Sequence, residues 1–492
     1  MALRRRRRLR AAVLLVGVTV VAAGVTFVVS RNNSPGGHPP AATDGGLAAR
    51  ASTTSPAVPL PAQWHVAWGS AMAWAPPKIA ASNTTVRELA TVGIGGTAVR
   101  VRISNAMGDA PLDVGAVTVA EDQSGASVVP ASMQQALFGG QPATTVPIGQ
   151  VTYSDPVSMT VTSGETLAVS VYVSNTDTVT QHACCAGYPD VSYFRPNGVG
   201  NVTTAPTGDH FYASPIARWV DAVDVLSPPV TPVPPARSSN SSAFENAMSA
   251  DPNGSIVVVG DSLTDGYNAT MRWTEVLQKR IEALPPSEQR AIVNEGISAN
   301  TLTNLPNSWA KTGGGPAGLD RLAMDALDQS GVAAVVIFLG TNDLFFGADA
   351  TQVIAGLQQA AAAIHQAGKE AIVATLTPRT AGPEPWSSQE QSDLEQVNQW
   401  ILTSHVFDSV VNFASVIAAM YNGQCSPTSM FAPYNSGDNL HPNNAGQTAM
   451  GDAVTGPEIG LPQLPAGPAL VQAVPTAGCK GVEGIPAVGR TS

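Results

Sequence analysis

The sequence predicts an α/β region over 250–460, built on a five-stranded parallel sheet, preceded by an all-β, sandwich-like region over 60–226. Two textures carry that expectation. From about residue 250, the apolar runs "SIVVVG", "AIVNEG", "AAVVIFLG", "EAIVATLTP" and "DSVVNF" alternate with segments of helical period. Strands that are apolar throughout and separated by helices belong to a parallel sheet covered on both faces. Over 60–226 the period is 2 instead. "TAVRVRISN", "LDVGAVTVA", "PVSMTVTS" and "ETLAVSVYVSN" alternate apolar and polar residues between Gly, Asn, Asp and Pro, as antiparallel strands with one buried face do.

The elements follow in chain order. Residues 1–30 combine Arg4 to Arg8 and Arg10 with "AAVLLVGVTVVAAGVTFVVS", a run of 20 residues without a charge. Positive charge before an apolar run reads as an export signal or membrane anchor, with the arginines on the cytoplasmic side. The length of the run, and the lack of a clean small-x-small cleavage site after it, favour an uncleaved single-span anchor. The expected location of the rest is extracytoplasmic, secreted or anchored, with membrane contact through this segment only. Residues 31–59, rich in Pro, Gly, Ser, Thr and Ala, read as a disordered tether, and 227–249 as a Pro/Ser-rich linker. Within the α/β region, 351–367 and 388–404 are the clearest helices; Gly368 stops the first, and Ser388 with Gln391 has capping-box spacing at the second. Residues 461–492 form a Pro/Gly-rich tail.

Charge and cysteines narrow the function. The net charge of the 492 residues is -11, and setting aside the six N-terminal arginines leaves 19 basic against 36 acidic side chains. Such a body repels phosphate backbones, which excludes nucleic acid as a partner. Cys425 and Cys479 are placed to pin the tail by a disulfide in an oxidising compartment, while the adjacent Cys184 and Cys185 pair with each other, stay reduced or bind another chain. No CxxC, HExxH or GxSxG is present, so metal, dithiol and α/β-hydrolase sites have no support. "GGGPAG" at 313–318 contains GxGxxG but follows no buried strand, and reads as a loop.

In a parallel sheet, reacting groups collect where strands give way to loops at the carboxyl edge. After the first strand comes Ser262, in "GDSLTDG"; after the second, Gly296, Ala299 and Asn300, in "VNEGISANTL"; after the third, Asn342 and Asp343, in "FLGTNDL". Downstream, "SGDNLHPNNAGQ" places Asp438 three residues before His441. A serine hydroxyl attacks poorly until a base takes its proton, and neutral imidazole suits that near pH 7. The imidazole in turn needs a carboxylate to fix its tautomer. An ester carbonyl under attack becomes an oxyanion, for which the amide after the first strand, the amide of the second-strand turn and the Asn342 side chain are candidate donors. Asp343 reads as a brace of the Asn342 loop; Asp265 reads equally as a substrate contact or a turn brace. His65, His210 and His365 lack such support.

"GDSLTDG", "GISANT", "GTND" and "DNLHP", in that order, resemble the successive blocks of the SGNH/GDSL hydrolase family over roughly 250–460. The β-region resembles the domain that precedes the catalytic one in secreted actinobacterial-type GDSL esterases. The resemblance implies a flavodoxin-like α/β/α sandwich and ester hydrolysis without a metal or cofactor. It casts Ser262 as nucleophile and oxyanion donor, Asn342 as a second donor, His441 as base and Asp438 as its orienter. The family carries glycine where Ala299 stands. An alanine keeps the N–H, without strain if φ is negative and with strain if the turn needs positive φ. The expected activity is a serine esterase on an acylated envelope carbohydrate, glycolipid or lipid. An acyltransferase on the same residues, or a non-catalytic carbohydrate-binding or adhesion protein, are the competing readings. Nothing in the sequence sets an oligomeric state.

Overall fold

A computed structural model describes residues 61–74, 80–175, 177–183, 192–229, 251, 253–310, 313–379, 386–421 and 424–466. The N-terminal segment, the tether, most of the linker, Cys184, Cys185 and Cys479 lie outside these residues, and of Cys425 only the backbone lies within them. The membrane and disulfide expectations therefore fall outside the described residues, among which no helix is long and apolar enough to cross a membrane.

The β-region is built on two larger antiparallel sheets, with a two-stranded and a three-stranded sheet beside them among the described residues. One joins β1 (Gln63–Gly69), β6 (Val220–Ser227), β3 (Val99–Ser104) and the short strand Val151–Tyr153. The other is built around β2 (Thr84–Thr91), β5 (Thr166–Val173) and β4 (Leu112–Ser124). Three of the four quoted stretches thus form strands. "PVSMTVTS" does not: its backbone pairs through isolated bridges at Val157 and Val161, and Pro156 at its start has no N–H to give a ladder.

In the α/β region β7 (Ser255–Gly260), β8 (Ile292–Gly296), β9 (Val332–Phe338), β10 (Glu370–Ala374) and β11 (Ser409–Val411) form a five-stranded, wholly parallel sheet. Its order, second-first-third-fourth-fifth, is that of the flavodoxin-like fold. Alternate residues of each strand face different layers. Ile256, Val258 and Phe338 pack with Trp273 and Leu277 of α2 (Trp273–Ile281) and Met450 of α6 (Asn444–Ala453). Val257, Val259 and Ile337 pack with Val353 and Leu357 of α4 (Ala350–Gln366) and Leu394 and Val397 of α5 (Ser388–Thr403). The capping box at α5 is formed by Ser387 and Glu390, one residue before the expected pair; Ser387 has the extended backbone a cap needs, whereas Ser388 is already helical.

The sequence does not reveal that the two regions share a core. Val66, Val101 and Val223 of the β-region belong to the same buried apolar cluster as Val257, Val293 and Val335 of the sheet. The polar seam is equally close: the Ser255 hydroxyl donates to the Val66 carbonyl at 2.6 Å, and the Val66 amide to the Ser330 carbonyl at 2.8 Å. Arg102, paired with Asp221 at 2.7 Å, also donates to the Met324 carbonyl at 3.2 Å. The clue is in "QWHVAWG": from His65 onward β1 is buried on both faces, which one face of a sandwich does not require.

Candidate active site

Ser262 opens α1 (Ser262–Asp265), a single turn closed by Gly266 at φ 91°. Gly260, at the end of β7, has no Cβ because one would collide with the Thr264 side chain; this lets the strand turn into α1 within two residues. Asp261 caps that turn, its Oδ1 accepting from the Leu263 amide at 2.9 Å.

The late loop brings His441 to this point. The Ser262 hydroxyl donates to His441 Nε2 at 2.8 Å, and His441 Nδ1 donates to Asp438 Oδ2 at 2.6 Å. Asp438 Oδ1 also accepts from the Leu440 and His441 amides at 3.0 and 2.8 Å. Burial alone would raise the Asp438 carboxyl, but these bonds and the His441 ring outweigh it and hold the group well below the usual carboxylate range. Ser262 and His441 are nearly closed off, at 7 % and 9 % exposure.

Ala299 has φ 65°. The Asn300 amide donates to the Ile297 carbonyl at 3.1 Å, so 297–300 is a type II turn with Ala299 at the position that favours glycine. Its neighbours anchor it to the site: the Ser298 hydroxyl donates to Asp265 Oδ2 at 2.6 Å, and the Asn300 carbonyl accepts from Asn342 Nδ2 at 2.9 Å. The amides of Ser262 and Ala299 have no partner among the described residues. Asn342, on α3 (Thr341–Phe345), makes a second, longer bond to Asp261 Oδ2 at 3.3 Å. Burial pushes the Asp261 carboxyl up to about 7, against the Leu263 bond and with the nearby Asp343 and Asp265 charges adding to the rise.

All five expected residues therefore meet around one spot. Asp343 does act as a brace, but of the segment beyond the turn: it accepts from the Leu302 and Thr303 amides at 2.7 and 2.9 Å. Asp265 is 1 % exposed and braces the turn. Sequence reasoning misses Asn268, which sits at φ 62° and donates to Asp438 Oδ2 at 2.9 Å. It also misses Tyr267, whose exposed ring lies 4.7 Å from the imidazole, and His182, whose Nε2 contacts Asp265. Their signal in the sequence is faint: "YN" directly follows the serine turn, and an asparagine is the residue that tolerates left-handed backbone there.

A non-glycine residue in left-handed backbone costs about 1–2 kcal/mol. Ala299→Gly is thus expected to raise the thermal midpoint by about 1–2 °C, part of the relief being offset by glycine's entropy. Its kcat on a short-chain ester is expected to stay at or above that of the parent. A large kcat loss would mean that the turn depends on the methyl group.

Residues 258–449 match the family described as GDSL-like Lipase/Acylhydrolase. Solved structures similar to the chain include the native aryl esterase of M. smegmatis (19% identity, TM-score 0.32), covering 41% of this chain and 96% of that one. A carbohydrate acetylesterase from Sinorhizobium meliloti (19%, TM-score 0.31) has the same two coverages. A GDSL-like lipase from Bacteroides thetaiotaomicron (15%, TM-score 0.32) covers 43% of this chain and 96% of its own. No curated protein sequence matches. The chain carries a GDSL-like lipase/acylhydrolase domain. It is, by that domain, a carboxylic ester hydrolase.

Proposed function

We propose that the protein is an exported serine esterase working through an acyl-Ser262 intermediate. The observation that carries this reading is the unbroken relay of hydrogen bonds from Ser262 through His441 to Asp438. His441 Nε2 takes the hydroxyl proton as Oγ attacks the ester carbonyl; Asp438 holds the ring in the tautomer that leaves Nε2 free to accept it. The oxyanion is met by the Ser262 and Ala299 amides and by Asn342 Nδ2, whose long bond to Asp261 is the one an oxyanion replaces. As the carbonyl re-forms, the alkoxide leaves with the proton from His441. Water, deprotonated by the same nitrogen, then releases the acid and restores the serine.

Export rests on the basic N-terminus and the uncharged run after it. An acylated envelope carbohydrate, glycolipid or lipid is the substrate class an exported esterase meets, and the exposed Tyr267 beside His441 offers it a stacking face. The test is turnover of p-nitrophenyl acetate by the purified chain, with and without a sugar acceptor. Release of p-nitrophenol with free acetate as the main product is expected in both cases. No release above buffer overturns the esterase reading, and acetyl-sugar in excess of acetate moves it to acyl transfer.

A further inference from the structure

The β-region meets the catalytic turn through Ala71 and Ala73, which pack with Ile297, and through the side chain of His182. His182 lies on the strand Thr180–Ala183, and it is buried. Its Nδ1 faces the Ala71 carbonyl at 2.9 Å and its Nε2 faces Asp265 Oδ1 at 3.1 Å. Both partners are hydrogen-bond acceptors. The other oxygen of Asp265 accepts from the Ser298 hydroxyl at 2.6 Å and the Ser298 amide at 3.0 Å. Ser298 is the second residue of the type II turn, and the peptide group that follows it carries the Ala299 N–H. Close packing leaves Asp265 little freedom: a Cβ on Gly296 would stand 2.5 Å from the Asp265 amide.

We propose that His182 is a positioning residue for ester hydrolysis: through Asp265 it locks Ser298 and so aims the Ala299 amide at the oxyanion. This rests on the esterase reading above. It gives the β-region a part in the reaction without placing any of its atoms on the substrate. The reason such a lock matters is local. An alanine at φ 65° sits in a turn that would relax if released, and an oxyanion donor helps only when held in place before the charge develops. The Asp265 clamp on both donors of Ser298 opposes that relaxation, and His182 holds the clamp's far oxygen.

A small cavity of about 20 Å³, lined by His182, Asp265, Arg272, Glu88 and Asn294 among others, adjoins the contact. It has room for about one water, so shortening His182 gives Asp265 a solvent partner in place of the ring. His182→Asn, too short to span the gap, is expected to lower kcat about tenfold with KM within about twofold. His182→Gln, long enough to present an N–H to Asp265, is expected to recover kcat to within about threefold of the parent. Ser298→Ala is expected to lose about tenfold, and His182→Asn/Ser298→Ala no more than the worse single variant, because both cut one chain of contacts.

Hydrogen exchange of the peptide spanning Ser298 and Ala299 reads the lock without using turnover: it is expected to quicken in His182→Asn and not in His182→Gln. Parental kcat and exchange in His182→Asn, equal losses in the Asn and Gln variants, or a multiplicative double variant would each overturn the proposal. A parent without ester turnover but with the expected exchange pattern sinks the esterase reading and leaves the lock itself standing.

Discussion

Asp438→Asn is expected to lower kcat for p-nitrophenyl acetate about ten-thousand-fold with little change in fold or KM. The size follows from the tautomer. Asp438 Oδ2 accepts from His441 Nδ1 at 2.6 Å, and a carboxylate at that point obliges Nδ1 to carry the proton and leaves Nε2 free for the serine. An amide that turns its nitrogen toward Nδ1 reverses this: Nε2 becomes the protonated atom and donates to Ser262 instead of accepting. An amide that turns its oxygen there must present nitrogen to the Leu440 and His441 amides, which donate to the other oxygen at 3.0 and 2.8 Å. Either orientation leaves one set of donors opposed. The loss belongs in kcat because Asp438 contacts His441, Asn268 and its own loop, not the ester.

The pH dependence of this pair has a definite sign. The Asp438 carboxyl is held below the ordinary carboxylate value of 3.8 by its bonds to His441 and Leu440, despite partial burial. A carboxylate depressed in the folded state contributes its stabilisation above the unfolded value and loses it as pH falls through the folded one. At neutral pH Asp438 is therefore fully ionised, and its interactions weaken only well below the range in which imidazole titrates.

Much of this site is legible in the sequence because parallel sheets concentrate loops at one edge. Ser262 and Asn342 each follow a strand of nearly unbroken apolar residues, and Ala299 follows the shorter β8, so their convergence follows from recognising the strands. Asp438 and His441 are separated by one turn and need no tertiary knowledge to be paired. Ala299 is visible as an unusual residue, but only the backbone shows that it occupies a left-handed position.

What the sequence does not disclose is contact between distant segments that no local pattern links. Asn268 meets Asp438 across 170 positions, and His182 meets Asp265 across 83. The stretch at 227–249 reads as a Pro/Ser-rich linker, since proline stiffness is a local property. Yet β1 and β6 bury their apolar residues in one cluster with the parallel sheet. The displaced capping box at α5 has a smaller cause of the same kind: two adjacent serines fit the same spacing rule, and only the backbone angles at Ser387 choose between them.

With Ser262 proposed as the attacking group, the largest effect follows from its removal. Ser262→Ala deletes one oxygen, leaves the Ser262 amide, Ala299 and Asn342 in place, and gives His441 nothing to deprotonate. The residual rate then comes from the oxyanion donors and binding alone. The direct measurement is kcat for p-nitrophenyl acetate in the parent and in Ser262→Ala at equal folded concentration. A fall of about a million-fold is expected, and a variant that turns over within tenfold of the parent would contradict the assignment.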